Sequence, residues 1–385
     1  MLDFSYYNPT RIHFGKSRLA KLNQEIPADA RVLLLYGGGS VVRNGTLADV
    51  RQALGERQLI EFAGIEPNPS YERLSEAVAK VKAEGISYIL AVGGGSVIDG
   101  AKYIAAAACM DADGWAILES GGRCINRSLP VGVVLTLAAT GSEMNNSAVV
   151  TRVATQDKMP FASRHCFPVF AILDPTRTLS VPAKQVSNGV VDAFTHVIEQ
   201  YLTHPVNGKV QDRFAEGLLL TLIEEGPKAL QDPQNYDVRA NLMWAASLAL
   251  NGLIGAGVPQ DWSTHMIGHE LTAVHGLDHA QTLAVILPAM LAVRRTEKAQ
   301  KLLQYAERVW GIEEGSDEQR ISAAIARTRE FFEQMGVATR LSDYGIQADQ
   351  VPRLIAQLER HGMTALGERR DVTLAISTQV LQQCL

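Results

Sequence analysis

Two stretches of this chain share one plan, an apolar run that stops at three glycines and a serine. They are "ARVLLLYGGGS" (30–40) and "ISYILAVGGGSVIDGAKYIAAAA" (86–108), and the second passes straight into an alanine-rich helix. Runs of Val, Leu and Ile without in–out alternation belong to strands covered on both faces. Such strands occur in parallel sheets with helical crossovers. "LPVGVVLTLAATGSE" (129–143) and "FPVFAILDP" (167–175) continue the pattern. Parallel sheets of this kind bind their ligands at the carboxyl ends of the strands, where these glycines lie.

After "DPTRTLSVP" (174–182) the strand signals fade. "SNGVVDAFTHVIEQYL", "DRFAEGLLLTLIEEGPKAL", "VRANLMWAASLALNGLIGAG", "DHAQTLAVILPAMLAV", "KAQKLLQYAERVWG" and "RISAAIARTREFFEQMG" all carry helical periodicity. The expectation is an α/β, Rossmann-like dinucleotide-binding domain over 1–178 and an all-helical, metal-binding domain over 179–385. A chain of 385 residues is long enough for two cores. The net charge of −5 is scattered, with no basic stripe for nucleic acid. The longest apolar run, "TLAVILPAMLAV", is shorter than the roughly 20 residues that span a bilayer. Four cysteines without paired spacing argue against a disulfide framework. A soluble cytoplasmic protein is expected.

Glycines let a backbone approach a phosphate, and the amides of the following helix then face its charge. One glycine run is equally well a tight turn. Two copies, each ending an expected strand, favour the phosphate reading at Gly37–Ser40 and Gly93–Ser96, the second being the better cradle. A third turn offers the hydroxyls of Thr136, Thr140 and Ser142 for ribose or phosphate. Neither G-x-G-x-x-G nor a P-loop is present. NAD-selective sites place a carboxylate by the adenosine ribose. The turn after "LLLY" has none, so amides and Ser40 could accept a 2′-phosphate, with Arg43 either adding a cation or standing as a solvated surface charge, and the cofactor expected is NADP rather than NAD.

Asp192 and His196 lie four apart in "VVDAFTHVIEQY", on one face of a helix. Alone they could simply hydrogen-bond each other. "THMIGHELTAVHGLDHAQTL" then holds four of the nine histidines: His265, His269, His275 and His279. His265 and His269 share a helical face. Gly276 should end that helix and Asp278 should cap the next, putting His279 in its first turn. A helix, a corner and a helix can aim His265 and His279 at one point, and Asp192 with His196 would complete four ligands. Imidazoles and a carboxylate suit Fe2+ or Zn2+. "HELTAVH" is not the H-E-x-x-H of zinc peptidases, and "ATGSE" is not the elbow of a serine hydrolase.

These segments, "GGGSVIDGAK", "TLAATGSE", "AILDP", "NGVVDAFTHVIEQY" and "HMIGHELTAVHGLDHAQTLAVILP", resemble the iron-containing (group III) alcohol dehydrogenase family, in order and over essentially the whole chain. The likeness is greatest to NADPH-dependent broad-range aldehyde reductases and butanol dehydrogenase-like members. The resemblance implies the fold shared with dehydroquinate synthase, an active site between the halves, and one divalent metal on Asp192, His196, His265 and His279. It implies Gly37, Gly38 and Ser40 at the adenosine ribose and Asn68, within "EPNPS", near the adenine. Gly94, Gly95 and Ser96 would hold the pyrophosphate with Asp99 next along. Thr136, Thr140, Ser142 and Lys158 would border the nicotinamide ribose. Spacing alone makes Lys158 an ordinary surface lysine. His269 would lie near the substrate, either relaying a proton or orienting a neighbour.

The activity expected is reversible reduction of short to medium aldehydes to primary alcohols. The metal would act as Lewis acid and the nicotinamide as hydride donor. The alternatives are a glycerol-type polyol dehydrogenase, a dehydroquinate synthase-like lyase, disfavoured by the lack of Lys and Arg around the proposed ligands, and a metal-dependent NADP-binding regulator. The resemblance further implies a homodimer, joined through "FSYYNPTRIHFG" as an added strand.

Overall fold

The computed structural model describes residues 1–385. Backbone contacts divide it into two compact units. The sheet-bearing unit comprises Tyr7–Pro182 and Gln234–Ser247; the helical unit comprises Met1–Tyr6, Ala183–Pro233 and Leu248–Leu385. The expected break at 178/179 thus lies close to the Pro182/Ala183 junction, and each half lends the other a short segment.

The sheet-bearing unit contains β1 (Arg11–Phe14), β2 (Arg31–Gly37), β3 (Gln58–Ile65), β4 (Tyr88–Gly93), β5 (Val131–Leu135), β6 (Ser147–Arg152), β7 (Asp157–Ala162) and β8 (Phe170–Leu173). Six form one parallel sheet in the order β1-β8-β5-β4-β2-β3. The four strands expected from the sequence are its centre: β2, β4, β5 and β8. Alternate residues feed two apolar layers, Leu33, Leu35, Ile89, Ala91 and Val133 on one face and Val32, Leu34, Leu90, Val92 and Val134 on the other.

The edge strands carried weaker signals. β3 is only partly buried along its length and includes Gln58 and Glu61. β1 has four residues, so the segment expected to add a strand between copies supplies one to its own sheet, paired with β8. β6 and β7 form a separate antiparallel hairpin. The helix Tyr236–Ala249 is built into this unit because Met243 enters the first apolar layer and Ser247 donates to buried Glu143.

The regular structure of the helical unit is helical apart from one two-residue antiparallel pairing, Val372–Thr373 with Ala365–Leu366. Ala183–Tyr201 is buried at nearly every position from Val186 onward. The helical reading of 238–257 stops at Ala249, since Gly252 and Gly257 take left-handed φ values of 88° and 71° that end regular structure. Ser263–His275 ends at Gly276, φ 71°, and His279–Val293 starts from a capping box at Asp278. The corner expected from "HGLDH" is therefore present.

Gly132 of β5 shows how tightly the sheet is covered: a Cβ there would lie 2.5 Å from the Phe170 ring of β8. Gly132→Ala is expected to destabilise the chain by about 1–3 kcal/mol through overpacking, read as a lower denaturation midpoint. An unchanged midpoint would show that Phe170 can move aside.

Candidate active site

β2, β4 and β5 are neighbours in the sheet, so the three turns at their carboxyl ends lie side by side. From β2 the chain steps outward to β3 and returns to the other side of β2 as β4. That reversal is the switch point at which open α/β sheets bind ligands. At its first strand, Gly37 ends β2, Gly39 takes φ +96°, and Ser40 opens a four-residue helix. Gly38, Ser40 and Arg43 are exposed there.

At the second strand, Gly93 ends β4 and the helix Gly95–Ala107 begins with Gly94 as its cap. Here the glycines are required by packing as well as by any ligand. A Cβ on Gly94 would lie 3.0 Å from Leu137, and one on Gly95 would lie 2.5 Å from Thr140 Oγ1. The second and third turns thus touch backbone to side chain. Thr136 N donates to Gly93 O at 3.0 Å and Ser142 N to Thr140 Oγ1 at 3.2 Å. Ser96 is half-buried on the same helix.

Asp99 is drawn into a buried network. Its carboxylate accepts from Ser142 Oγ at 2.6 Å and from Val149 N at 2.9 Å. Fully buried Lys102 donates to Ser142 Oγ (2.8 Å), Asn145 Oδ1 (2.9 Å) and Ser147 O (2.7 Å). One ammonium therefore ties the whole 142–147 segment to the glycine-turn helix. Burial pushes the Lys102 amine down to about 8, against the pull of Asp99, and burial pushes Asp99 up. Lys102 went unnoticed in the sequence, where it sits within "DGAKYIAAAA" at a position periodicity marks as core.

Lys158 departs from what spacing suggested. It is buried, and its Nζ donates to Asn68 Oδ1 at 2.8 Å. Asn68 has a left-handed φ of 56°. The two expected cofactor residues therefore meet, across 90 positions of sequence. Farther along, a polar pocket of about 210 Å³ is lined by Asn44, Thr46, Arg177 and Gln234 among others, and none of the expected cofactor residues borders it.

In the helical unit, donor atoms of Asp192, His265 and His279 all lie within 4.8 Å of one another. Asp192 Oδ1 is 3.6 Å from His279 Nε2 and 3.6 Å from His196 Nδ1. Both separations exceed a hydrogen bond, and they match donors arranged around a common centre. His196 stands beside these three rather than among them, its ring stacked on His265 at 4.6 Å and 20°. The His269 ring lies 5.5 Å from His279 and 6.5 Å from His265. Burial and neighbouring His265 hold His196 well below its usual range, which favours the neutral imidazole. Neutral imidazoles and a carboxylate are the donor set a divalent Fe or Zn ion takes, and the residues present fit such an ion.

The sequence reading missed the groups around this cluster. Glu199, buried on the helix of Asp192 and His196, accepts from Thr264 N at 2.6 Å and is hydrogen-bonded to His265 Nδ1. Burial, with the charge of Asp261, pushes its pKa up, and the Thr264 amide and Lys298 pull against that. Trp262 takes a left-handed φ of 64°, rare for so large a residue, and presents its ring edge-on to His196 and His265. Asp278 is held by Lys184 Nζ at 2.8 Å and Asn188 Nδ2 at 3.1 Å. The signal for Glu199 was available, as it lies three residues after His196 on the same apolar stripe. His275 is partly buried, and His361 pairs with Glu270 at 2.6 Å.

Two family models match, iron-containing alcohol dehydrogenase over residues 9–175 and the C-terminal domain of the Fe-containing alcohol dehydrogenase family over 186–372. The chain belongs to the iron-containing alcohol dehydrogenase family. Among its relatives is the NADPH-dependent aldehyde reductase YqhD of Escherichia coli, 60% identical over 384 residues, covering 99% of each chain. The crystal structure of E. coli K-12 YqhD superposes with a TM-score of 0.99 over 100% of this chain and 99% of that one, at 59% identity. The probable NADH-dependent butanol dehydrogenase 1 of Bacillus subtilis is 40% identical, over 94% of this chain and 95% of its own. Family members thus differ in cofactor, which directs attention to the first turn.

The lowered pKa of Lys102 has a measurable consequence. Its folded value, about 8, lies below the ordinary 10.5, so the unfolded chain binds more proton between the two. The penalty of the buried charge is complete below pH 8 and is relieved as the pH rises towards 10.5. Relative to Lys102→Met, the natural chain should therefore gain stability across that window in denaturant melts. A difference independent of pH would contradict the shift.

Proposed function

We propose that this chain is an NADPH-dependent aldehyde reductase that interconverts short to medium aldehydes and primary alcohols with one divalent ion. The observation that carries the reading is the meeting of Asp192, His265 and His279 donors within 4.8 Å, with His196 stacked against them. When bound, the ion supplies Lewis acidity at the carbonyl oxygen and the nicotinamide supplies hydride. In this reading Asp192, His196, His265 and His279 hold the ion, and its identity as Fe2+ or Zn2+ follows from metal analysis. His269, buried and next to this cluster, gives a proton to the alkoxide oxygen or orders a water that does so.

Gly94, Gly95 and Ser96 bind the pyrophosphate through helix amides. Asp99, Thr136, Thr140, Ser142 and Lys158 position the nicotinamide ribose, and Asn68 lies by the adenine. Gly37, Gly38 and Ser40 take the adenosine ribose. The absence of a carboxylate in that turn, with Arg43 exposed three residues on from Ser40, supports NADPH over NADH. The 60% identity to an enzyme named NADPH-dependent aldehyde reductase supports the same choice.

The chain is further proposed to act as a cytoplasmic homodimer. Met1, Leu2, Phe4, Tyr6 and Tyr7 are exposed and precede the edge strand β1 in sequence, and the four cysteines are free thiols. No helix is long and apolar enough to cross a membrane. Light scattering of the purified chain tests the dimer; a monomer mass removes it.

Protein purified without added metal should contain one Fe or Zn per chain and oxidise NADPH with a short aldehyde. Asp192→Asn and His279→Ala should lose the metal and about a thousandfold in kcat/KM, the scale of several kcal/mol of charge stabilisation. Retained metal and turnover in both would end the assignment. Gly38 has an ordinary φ and open space where a Cβ would go, so Gly38→Asp should fold normally. It should lower kcat/KM for NADPH by about tenfold or more relative to NADH, since like charges in contact cost upward of about 1.4 kcal/mol. An unchanged cofactor ratio would move the 2′-phosphate elsewhere.

A further inference from the structure

We infer that Glu199 is a positioning residue for the metal centre: it holds His265 by Nδ1 so that the opposite ring nitrogen, Nε2, is the one offered to the ion. The inference rests on the metal reading above and names a residue outside the proposed ligand set.

Glu199 lies on the helix that carries Asp192 and His196, three residues beyond the latter, and is buried. Its two oxygens serve two consecutive residues of another helix. Oε1 accepts from Thr264 N at 2.6 Å, and Oε2 is bonded to His265 Nδ1. The intervening chain is shaped to allow this. Asp261 N donates to Glu199 O at 2.9 Å, Trp262 turns left-handed at φ 64°, and Asp261 Oδ1 accepts from Ser263 N at 3.0 Å. Behind the turn, buried Lys298 Nζ lies 2.7 Å from Asp261 Oδ2 and donates to Leu202 O at 2.6 Å. The segment that delivers His265 is therefore held by two carboxylates, Glu199 on Thr264 and His265 and Asp261 on Ser263.

The imidazole geometry gives that arrangement its chemical meaning. With a cation on Nε2 the one proton the pair shares lies in the Nδ1–Oε2 bond, so Glu199 accepts there, the Nε2 lone pair faces the ion and the ring plane is fixed. The carboxylate also makes Nε2 more basic. Glutamine has the same shape but only one acceptor oxygen, so it cannot serve both Thr264 N–H and His265 Nδ1–H.

The test uses the full chain, stripped of metal and titrated with Zn2+ in competition with a chromophoric chelator. Glu199→Gln should weaken Zn2+ binding by about 10–100-fold, with NADPH affinity unchanged. A purely structural role would lower the melting temperature of the stripped variant and leave Zn2+ affinity as it was; that result overturns the inference. A stripped natural chain that binds no Zn2+, or an Asp192→Asn variant that binds it as tightly as the natural chain, overturns the metal reading itself. Should Glu199→Gln not fold, nitrogen NMR of the zinc-loaded natural chain decides. The signal that disappears in His265→Asn must show a protonated Nδ1 and a metal-bound Nε2, and a proton on Nε2 overturns the inference.

Discussion

The helical unit is organised by the burial of carboxylates next to imidazoles. Asp192, Glu199 and Asp261 are all taken out of water, and a buried charge is tolerated only where partners compensate it. Asp261 has Lys298 and the Ser263 amide, which together hold its pKa down despite burial. Glu199 has the Thr264 amide and His265. Asp192 has two imidazole nitrogens at 3.6 Å, beyond hydrogen-bond reach, and in the proposed reading its partner is the ion. The Glu199 contacts with Thr264 and His265 and the approach of Asp192 to His279 tie the Ala183–Tyr201 helix to the corner between Ser263–His275 and His279–Val293, where the donor cluster assembles.

The sheet-bearing unit solves a different problem, the close approach of backbones at the strand ends. Gly94 and Gly95 have no room for a side chain, because the third turn packs against them. Lys102 then fastens that turn from beneath, using all three of its donors. Stiffness there comes from packing and a buried ammonium. The first turn is freer: Gly38 and Ser40 are exposed and Gly38 has open space around it. A turn that other elements do not constrain can change its residue without disturbing the sheet, and relatives named for NADPH and for NADH are both found in this family.

Much of this was readable in the chain. Strands buried on both faces are near-continuous apolar runs, so β2, β4, β5 and β8 stood out, as did the helix–corner–helix of "THMIGHELTAVHGLDHAQTL". Edge strands β1 and β3 did not, because half-exposed strands mix polar and apolar residues. Glu199 and Lys102 escaped for a common reason. Each is a charged residue in an apolar stripe, and burial of a charge shows only once its partners, which come from distant positions, are in place.

The information legible in the chain is local: which segments are strands or helices, where glycines permit a tight turn, and that Asp192 shares a helical face with His196. Periodicity and capping act over a few residues, so they can be read in one dimension. Packing in three dimensions was needed to bring Lys158 to Asn68, to set Tyr236–Ala249 into the sheet-bearing unit up to Ser247, and to let Glu199 grip His265. Those pairings join positions far apart in the chain. They form because desolvated charges and apolar faces find partners in space, a requirement that no stretch of sequence expresses on its own.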